Sequence, residues 1–465
     1  MVDDKSTSNE ILSPVTGALS ESHDTDPAAM TGLNDLAKEN HTVTKENNSA
    51  VAAKSANSNW HTPESLDISA NKSHKQIHTV LASADFEYLE QTALLARNAG
   101  DESSESGVTC AIDSGSFTYG MNNLVLNVAF SDDVCWIARI LKAPVDPSYT
   151  RQHEIAMLSE IATMKTLKSR TTIPVPEVFA FDVSPSNKFG FPYVLLECLK
   201  GKTLQKTMAK TVPADYKQHV ASQVADVLYQ LENLTFDRLG RIWCGENCDE
   251  PPRIIPWWSS DGSLATARVQ TSLEWFYKYR QKQNRQALKE HVDDPEWRAA
   301  CWILKQATSH IIIEDRLHGP FPLCHFDLHY GNLLFDDEYN LTGVVDWDGA
   351  ATAPLERLAV SPEFITFPGI SDEKNQVILD FRAIVRECLQ ELVSKSEKTT
   401  PTKKKKTTLS MILGSKQADI THRCTYSRPY RAIWDGQMVA KLIYGDHVSW
   451  EQLVAAYGEV KYYNY

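Results

Sequence analysis

Polar and apolar positions divide the chain into segments of different period. Over residues 1–78 Ser, Thr, Asn, Asp and Ala dominate, aromatic side chains are few and no period is sustained. Such a stretch buries too little apolar surface to offset its ordering entropy, so the pattern predicts a disordered arm. Near Ser83 a helical period begins, with Phe86, Leu89, Ala93 and Leu94 along one face and Asp85 and Glu87 in the first turn. The polar stretch 98–106 ends it. Alternation then predicts strands over 110–114, 124–130 and 134–141, with a glycine-bearing turn over 115–123. A helix over 150–167 carries Ile155, Leu158 and Ala162 at helical spacing, and strands over 177–183 and 191–198 follow.

The second half is mainly helical in period. Val220, Val224, Val227, Leu228 and Leu231 form one stripe over 213–231. Asp294-Pro295-Glu296 is a helix start, and Trp297, Ala300, Cys301, Leu304, Ala307 and Ile311 continue from it. Between these two helices lie Trp257, Trp258, Trp275, Phe276 and Tyr277, which packing explains more readily than a cation-binding aromatic cage. The pattern predicts an irregular connection over 354–368, a helix over 372–393 and a closing amphipathic helix over 448–457. The run Lys403 to Lys406 is read as a solvated loop, with a nuclear address or an anionic-lipid contact as the sharper alternative.

One stretch departs from this texture: 323–349, LCHFDLHYGNLLFDDEYNLTGVVDWDG. The apolar runs 332–335 and 341–345 predict two short strands, and the polar turn 336–340 joins them. The hairpin gathers Asp327, Asn332 and Asp346 at one end. Asp and Asn often do no more than cap strands in such turns. Four positions, His325, Asp327, Asn332 and Asp346, in register with Gly331 and both strands argue for chemistry instead. Phosphoryl transfer needs a carboxylate to orient and deprotonate a hydroxyl, and hard oxygens to hold Mg²⁺ against nucleotide phosphates. Asp327 fits the first role, and Asn332 and Asp346 fit the second.

Composition narrows the setting. At 465 residues the chain has room for two or three domains. Its 47 basic and 60 acidic residues give a net charge of -13, which disfavours nucleic acid and anionic membrane as general partners. Nine cysteines are scattered without the spacing of a disulfide scaffold, and Cys244 and Cys248 lack a second pair or histidines that would make a zinc site. No apolar run is long enough to span a membrane, and the first residues carry neither a secretory nor a mitochondrial address. The expected location is cytoplasmic.

The spacing H-x-D-x-x-x-x-N followed by an Asp after a hydrophobic strand resembles the catalytic and metal loops of the kinase superfamily. More narrowly, His325-Phe326-Asp327-Leu328-His329-Tyr330-Gly331-Asn332-Leu333-Leu334, followed by Val345-Asp346-Trp347-Asp348-Gly349, resembles the aminoglycoside phosphotransferase family. Phe326 and Trp347-Asp348 stand where protein kinases have Arg and Phe-Gly. The resemblance implies an α+β, two-lobed protein-kinase-like fold, with a small antiparallel-sheet lobe over 79–199 and a mostly helical lobe over 200–465. It implies ATP in the cleft and Mg²⁺ held by Asn332 and Asp346. Asp327 and His325 become the candidate catalytic residues, His325 as a brace for the loop rather than a proton carrier.

The same resemblance extends to the nucleotide. Trp136-Ile137-Ala138-Arg139-Ile140 is similar to the strand whose Lys or Arg reaches the phosphates, here Arg139, and Glu160 is better placed than Glu154 to pair with it. The turn with Gly120 would approach the phosphates. Leu195 to Gly201 is similar to the hinge between lobes, where the C=O of Glu197 and the N–H of Leu199 would receive the base. The activity implied is transfer of a phosphoryl group from ATP to a hydroxyl of a small molecule. A protein kinase, a choline- or ethanolamine-type kinase and a nucleotide-binding pseudoenzyme stay open as alternatives, and the acceptor is not named by any residue pattern.

Overall fold

A computed structural model of the chain describes residues 60–99, 107–142, 151–204, 212–256, 269–291, 293–366, 372–399 and 406–459. Helices α1 (Lys72–Ser83) and α2 (Phe86–Asn98) come first. Side-chain oxygens start both: Asn71 accepts from the Ser73 and His74 N–H groups, and Asp85 accepts from that of Tyr88. Strands β1 (Cys110–Tyr119), β2 (Asn123–Phe130), β3 (Cys135–Leu141), β4 (Val178–Asp182) and β5 (Tyr193–Glu197) form one antiparallel sheet in the order β1-β2-β3-β5-β4. Alternation places Leu124, Leu126 and Val128 of β2 with Ala138 and Ile140 of β3 on one face, and α1 and α2 cover it with Ile77, Val80, Leu89 and Ala93.

Two expectations are corrected in this lobe. The disordered arm expected over 1–78 does not reach that far. Residues 1–59 lie outside the described residues, but His61 exchanges main-chain hydrogen bonds with Phe117, and Ile77 is fully buried. Ile77, Val80 and Leu81 are the only large apolar positions in an otherwise polar helix, too sparse a stripe to register as a period. The turn expected over 115–123 is mostly strand. Phe117 to Tyr119 pair with Leu126 to Leu124 beyond an irregularity after Ile112, which leaves Gly120 to Asn122 as the turn.

Helix α3 (Arg151–Arg170) packs beneath the sheet, and after β5 the chain crosses into the larger lobe through the short β6 (Lys202–Thr203). That lobe continues with α4 (Ala214–Asn233), β7 (Thr235–Phe236), β8 (Arg241–Trp243), β9 (Arg253–Ile255), α5 (Ser272–Glu290) and α6 (Pro295–Gln306). Asp294 caps α6, accepting from the Glu296 N–H at 2.9 Å, as its sequence signature predicts. Next come β10 (Phe321–Cys324), β11 (Leu333–Phe335), β12 (Leu341–Val344) and β13 (Ala351–Thr352). The connection expected to be irregular contains two short helices, α7 (Leu355–Leu358) and α8 (Glu363–Thr366), because Leu355, Leu358 and Ile365 turn into the core behind Pro354 and Pro362. The lobe closes with α9 (Asp372–Thr399), α10 (Leu409–Ile412), α11 (Lys416–Tyr426), α12 (Ala432–Tyr444) and α13 (Trp450–Tyr457).

Strand β6 pairs with β11, so the crossing between lobes is hydrogen-bonded to the 333–344 hairpin. Gly201 has φ +124°, and a Cβ there would meet the Phe335 carbonyl oxygen at 2.9 Å. Trp275 and Phe276 are buried against Cys301 and Leu304, which supports packing as the role of these aromatics. Trp257, Trp258 and Lys403 to Lys405 lie outside the described residues. Among the described residues no helix is long and apolar enough to cross a membrane.

If α1 is an integral part of this lobe, Ile77→Ala should lower stability by about 2–5 kcal/mol, the usual cost of truncating a fully buried aliphatic side chain. Denaturant unfolding of the full chain measures this. An unchanged midpoint would mean that α1 contributes no packing.

Candidate active site

Strand β10, buried at all four positions, delivers the chain to His325. The imidazole is fully buried, with its Nε2 3.0 Å from the Val345 carbonyl oxygen and its Nδ1 accepting the Asp327 N–H at 3.2 Å. One neutral tautomer satisfies both bonds, with the proton on Nε2. Burial pushes the His325 pKa down, outweighing the Val345 hydrogen bond and the nearby Asp346 and Asp327. His325 thus ties the backbone just before Asp346 to the backbone of Asp327. Ser361 Oγ donates to the His325 carbonyl, and the Trp347 ring lies 4.6 Å from the imidazole while its Nε1 donates to Val344.

The Asp327 side chain is more than half exposed, and His329 Nε2 lies 3.7 Å from its carboxylate. His329 is itself held by the Gly331 N–H, which donates to Nδ1 at 2.9 Å. Asn332 is 6 % exposed, and its Nδ2 donates to the Asp327 carbonyl at 2.9 Å. Oδ1 is therefore the side-chain atom it can offer to a cation. Asp346 sits in the left-handed region at φ +61° and leaves its carboxylate half exposed. Left-handed backbone is uncommon outside glycine and marks positions that the surroundings over-determine. Here the determinants are the buried Trp347 on one side and the Val345 bonds to His325 and Asn332 on the other.

From the small lobe Arg139 reaches this end of the hairpin. Nη1 is ion-paired with Glu160 on α3, and Nη2 lies 3.2 Å from Asp346. Burial works against the charge of Arg139, but Glu160, Asp346 and Asp348 outweigh it and its pKa is raised. Burial raises the Glu160 carboxyl to about 7; Arg139 opposes this, while Asp348 and Asp346 add to it. The structure thus brings together Asp327, His325, Asn332, Asp346, Arg139 and Glu160. Asn332 and Asp346 offer hard oxygens, and among the described residues no group of three or more His, Cys, Asp or Glu could hold a metal alone. Two protein oxygens fit an ion such as Mg²⁺, which takes much of its coordination from water and substrate phosphates.

The other expected positions fare differently. The Gly120 N–H donates to the Asn123 carbonyl at 3.0 Å and its own carbonyl accepts from Lys142 Nζ at 2.6 Å, so the Gly120 amide is engaged in the hairpin and is not presented to a phosphate. Glu197 and Leu199 stand at the crossing between lobes. The Glu197 carboxylate accepts from the Glu177 N–H and from Lys168, and Leu199 packs toward Gly343. Two residues of the site, Arg357 and Arg241, were not foreseen. Arg357 is buried beneath the loop, donating to the Phe326 carbonyl at 3.3 Å with its guanidinium 4.9 Å from the Phe326 ring centre. Arg241 and Asp348 join the charge cluster around Glu160.

With this geometry in place, similarity to known proteins can be read. The profile of the phosphotransferase enzyme family matches residues 125–360. The chain belongs to that family. A subtelomeric hrmA-associated cluster protein of Aspergillus fumigatus is 29% identical over 91 residues, 20% of this chain and 18% of that protein. Altered inheritance of mitochondria protein 9 of Clavispora lusitaniae is 23% identical over 171 residues, 35% of this chain and 28% of that protein. The chain thus spans less than a third of the length of either relative. Among solved structures, macrolide 2'-phosphotransferase MphH of Brachybacterium faecium is 15% identical with a TM-score of 0.38, covering 80% of this chain and 98% of that one.

Because His325 is held neutral, its contribution to stability is present above the ordinary histidine value of 6.5 and is lost as pH falls through its lowered folded-state value. Its ring resonances should therefore not titrate on lowering pH through 6.5, as followed by NMR. In His325→Gln, part of the acid-side loss of stability should disappear. A normal titration near 6.5 would refute the neutral bridge.

Proposed function

We propose that this phosphotransferase moves the γ-phosphoryl group of ATP to a hydroxyl of a small molecule. The observation that carries the reading is the His325 bridge, which fixes Asp327 and Asp346 relative to each other while Arg139 meets Asp346 from the other lobe. Asp327, whose side chain is more than half exposed, accepts the acceptor hydroxyl's hydrogen bond and then its proton as the O–P bond forms. The bond from the γ-phosphorus to the bridging oxygen breaks, and ADP leaves with that oxygen. Asn332 Oδ1 and the Asp346 carboxylate would hold Mg²⁺, which supplies charge neutralisation on the phosphates. Arg139, kept in place by Glu160, turns its guanidinium from Asp346 to the phosphate oxygens, a bidentate match for that group.

The base is assigned to the Glu197 carbonyl and the Leu199 N–H at the crossing between lobes. A protein substrate is disfavoured because β13 follows Asp346 by only a few residues and pairs with β10, leaving no long segment to dock a peptide. A pseudoenzyme is disfavoured because every polar group of the reaction is present. A cytosolic setting is supported by the absence of disulfides among the nine cysteines.

Asp327→Asn should lower turnover by about 10² or more while MgATP binding and the melting temperature hold, the usual scale for a positioned catalytic base. Turnover is read as ADP release against a panel of aminoglycosides, amino alcohols and sugars, and near-normal turnover would remove Asp327 from its role. Asp346→Ala should abolish the Mg²⁺-dependent part of nucleotide binding and Asp348→Ala should weaken it less. Calorimetric titration with and without Mg²⁺ compares them. Equal losses in the two variants would mean that the metal carboxylate is wrongly assigned.

A further inference from the structure

Nine free cysteines are present, and two of them meet across strands at the crossing between lobes. In the β3–β5 ladder Trp136 is opposite Glu197, so the next antiparallel step sets Cys135 opposite Cys198. Directly opposed residues have Cα atoms about 4.5–5.5 Å apart, within the 4.4–6.8 Å span that a disulfide bridges. Alternation also puts the two thiols on one face. Trp136, Ala138 and Leu195 point into the core under α1 and α2, whereas Ile137 and Leu196 point to the core shared with the larger lobe. Cys135 and Cys198 share the face of Ile137, Leu196 and Arg139.

We propose that Cys135 and Cys198 are a modification site at which a peroxide forms a disulfide, clamping the hinge to the strand that carries Arg139. Neither residue is fully buried, which leaves the pair open to a small oxidant. The neighbouring Cys135 thiol, whose Sγ donates to the Trp136 carbonyl at 3.5 Å, lowers Cys198 to about 7 despite partial burial and the adjacent Glu197, with Lys200 assisting, while Cys135 itself is raised. Cys198 is accordingly the thiolate that reacts. Its sulfur attacks one peroxide oxygen, the O–O bond breaks, and water leaves a sulfenic acid on Cys198. The Cys135 sulfur then displaces that oxygen as a second water and forms the S–S bond. Two sulfurs lose one electron each and the peroxide gains two. The other close pair lacks these features: Cys244 and Cys248 are buried, Cys248 Sγ donates to the Leu158 carbonyl, and burial pushes its thiol up to about 12.

Cys198 lies between Glu197 and Leu199, so by the nucleotide reading given above the link should also weaken MgATP binding. The test treats the full chain with hydrogen peroxide near neutral pH, blocks residual thiols and maps peptides by mass without reduction. The Cys135–Cys198 linked peptide should form at least tenfold faster than any other cysteine pair, vanish with dithiothreitol and be absent from Cys135→Ser and Cys198→Ser variants of unchanged melting temperature. MgATP affinity of the linked protein should fall at least tenfold and recover on reduction. Separate alkylation or overoxidation of the two cysteines, or faster linkage of another pair, overturns the proposal. Linkage without any change in affinity overturns its regulatory part. A reduced protein that fails to bind MgATP refutes the nucleotide reading and leaves the mapped link to stand by itself.

Discussion

A single buried imidazole holds the candidate site of this molecule together. His325 accepts a backbone N–H from one loop and donates to a backbone carbonyl of the next, so the loops of Asp327 and Asp346 cannot drift apart without leaving buried groups unpaired. An unsatisfied buried donor or acceptor costs about 1–3 kcal/mol, more than an exposed contact returns, which makes the arrangement close to all-or-none. Everything else in the site hangs on those loops. Asn332 closes on the Asp327 carbonyl, Ser361 and Arg357 fasten the carbonyls of His325 and Phe326 from below, and Trp347 fills the space behind.

The charge cluster above the hairpin is set by a different balance. Arg139 and Glu160 are both largely withdrawn from water, where a lone charge would be costly, and each makes the other tolerable. The carboxylates of Asp346 and Asp348 tip the balance toward the cation: Arg139 holds its proton firmly, while Glu160 sits near neutrality. With Asp327, Asp346, Asp348 and Glu160 gathered around Arg139 and Arg241, the site holds more acids than cations. That is the electrostatic condition under which a divalent cation arriving with phosphates would be accepted rather than repelled.

The hairpin of the candidate site was legible in the sequence because its information is local. Asp327, Asn332 and Asp346 fall within twenty residues of one another, and strand alternation places them at one end. The pairing of Arg139 with Glu160 was legible only through likeness to a family, since nothing in their own neighbourhoods distinguishes them from ordinary strand and helix residues. Arg357 gave no signal at all. It follows a proline in a stretch with no period, and its burial comes from α11 and the Phe326 loop folding around it. Gly120 misled for the converse reason: a glycine in a turn suggests open amides, but Asn123 and Lys142 had already claimed its main-chain groups. Helix α1 was hidden by its sparse stripe, in which Ile77 and Val80, with the partly buried Leu81, suffice because the sheet beneath supplies the rest of the core.

The roof formed by α1 and α2 has a bearing on where this chain can be cut. The family match begins at residue 125, inside β2, whereas packing among the described residues is already present more than sixty residues earlier, at His61. A protein trimmed to the family boundary would lose β1 and both roofing helices together. Leu126, Val128, Ala138 and Ile140 would then form a bare apolar sheet surface with β2 as an open edge. Surfaces of that kind recruit other strands. The expected product of such trimming is an aggregate, so the segment before the family match serves this protein as its built-in guard against self-association.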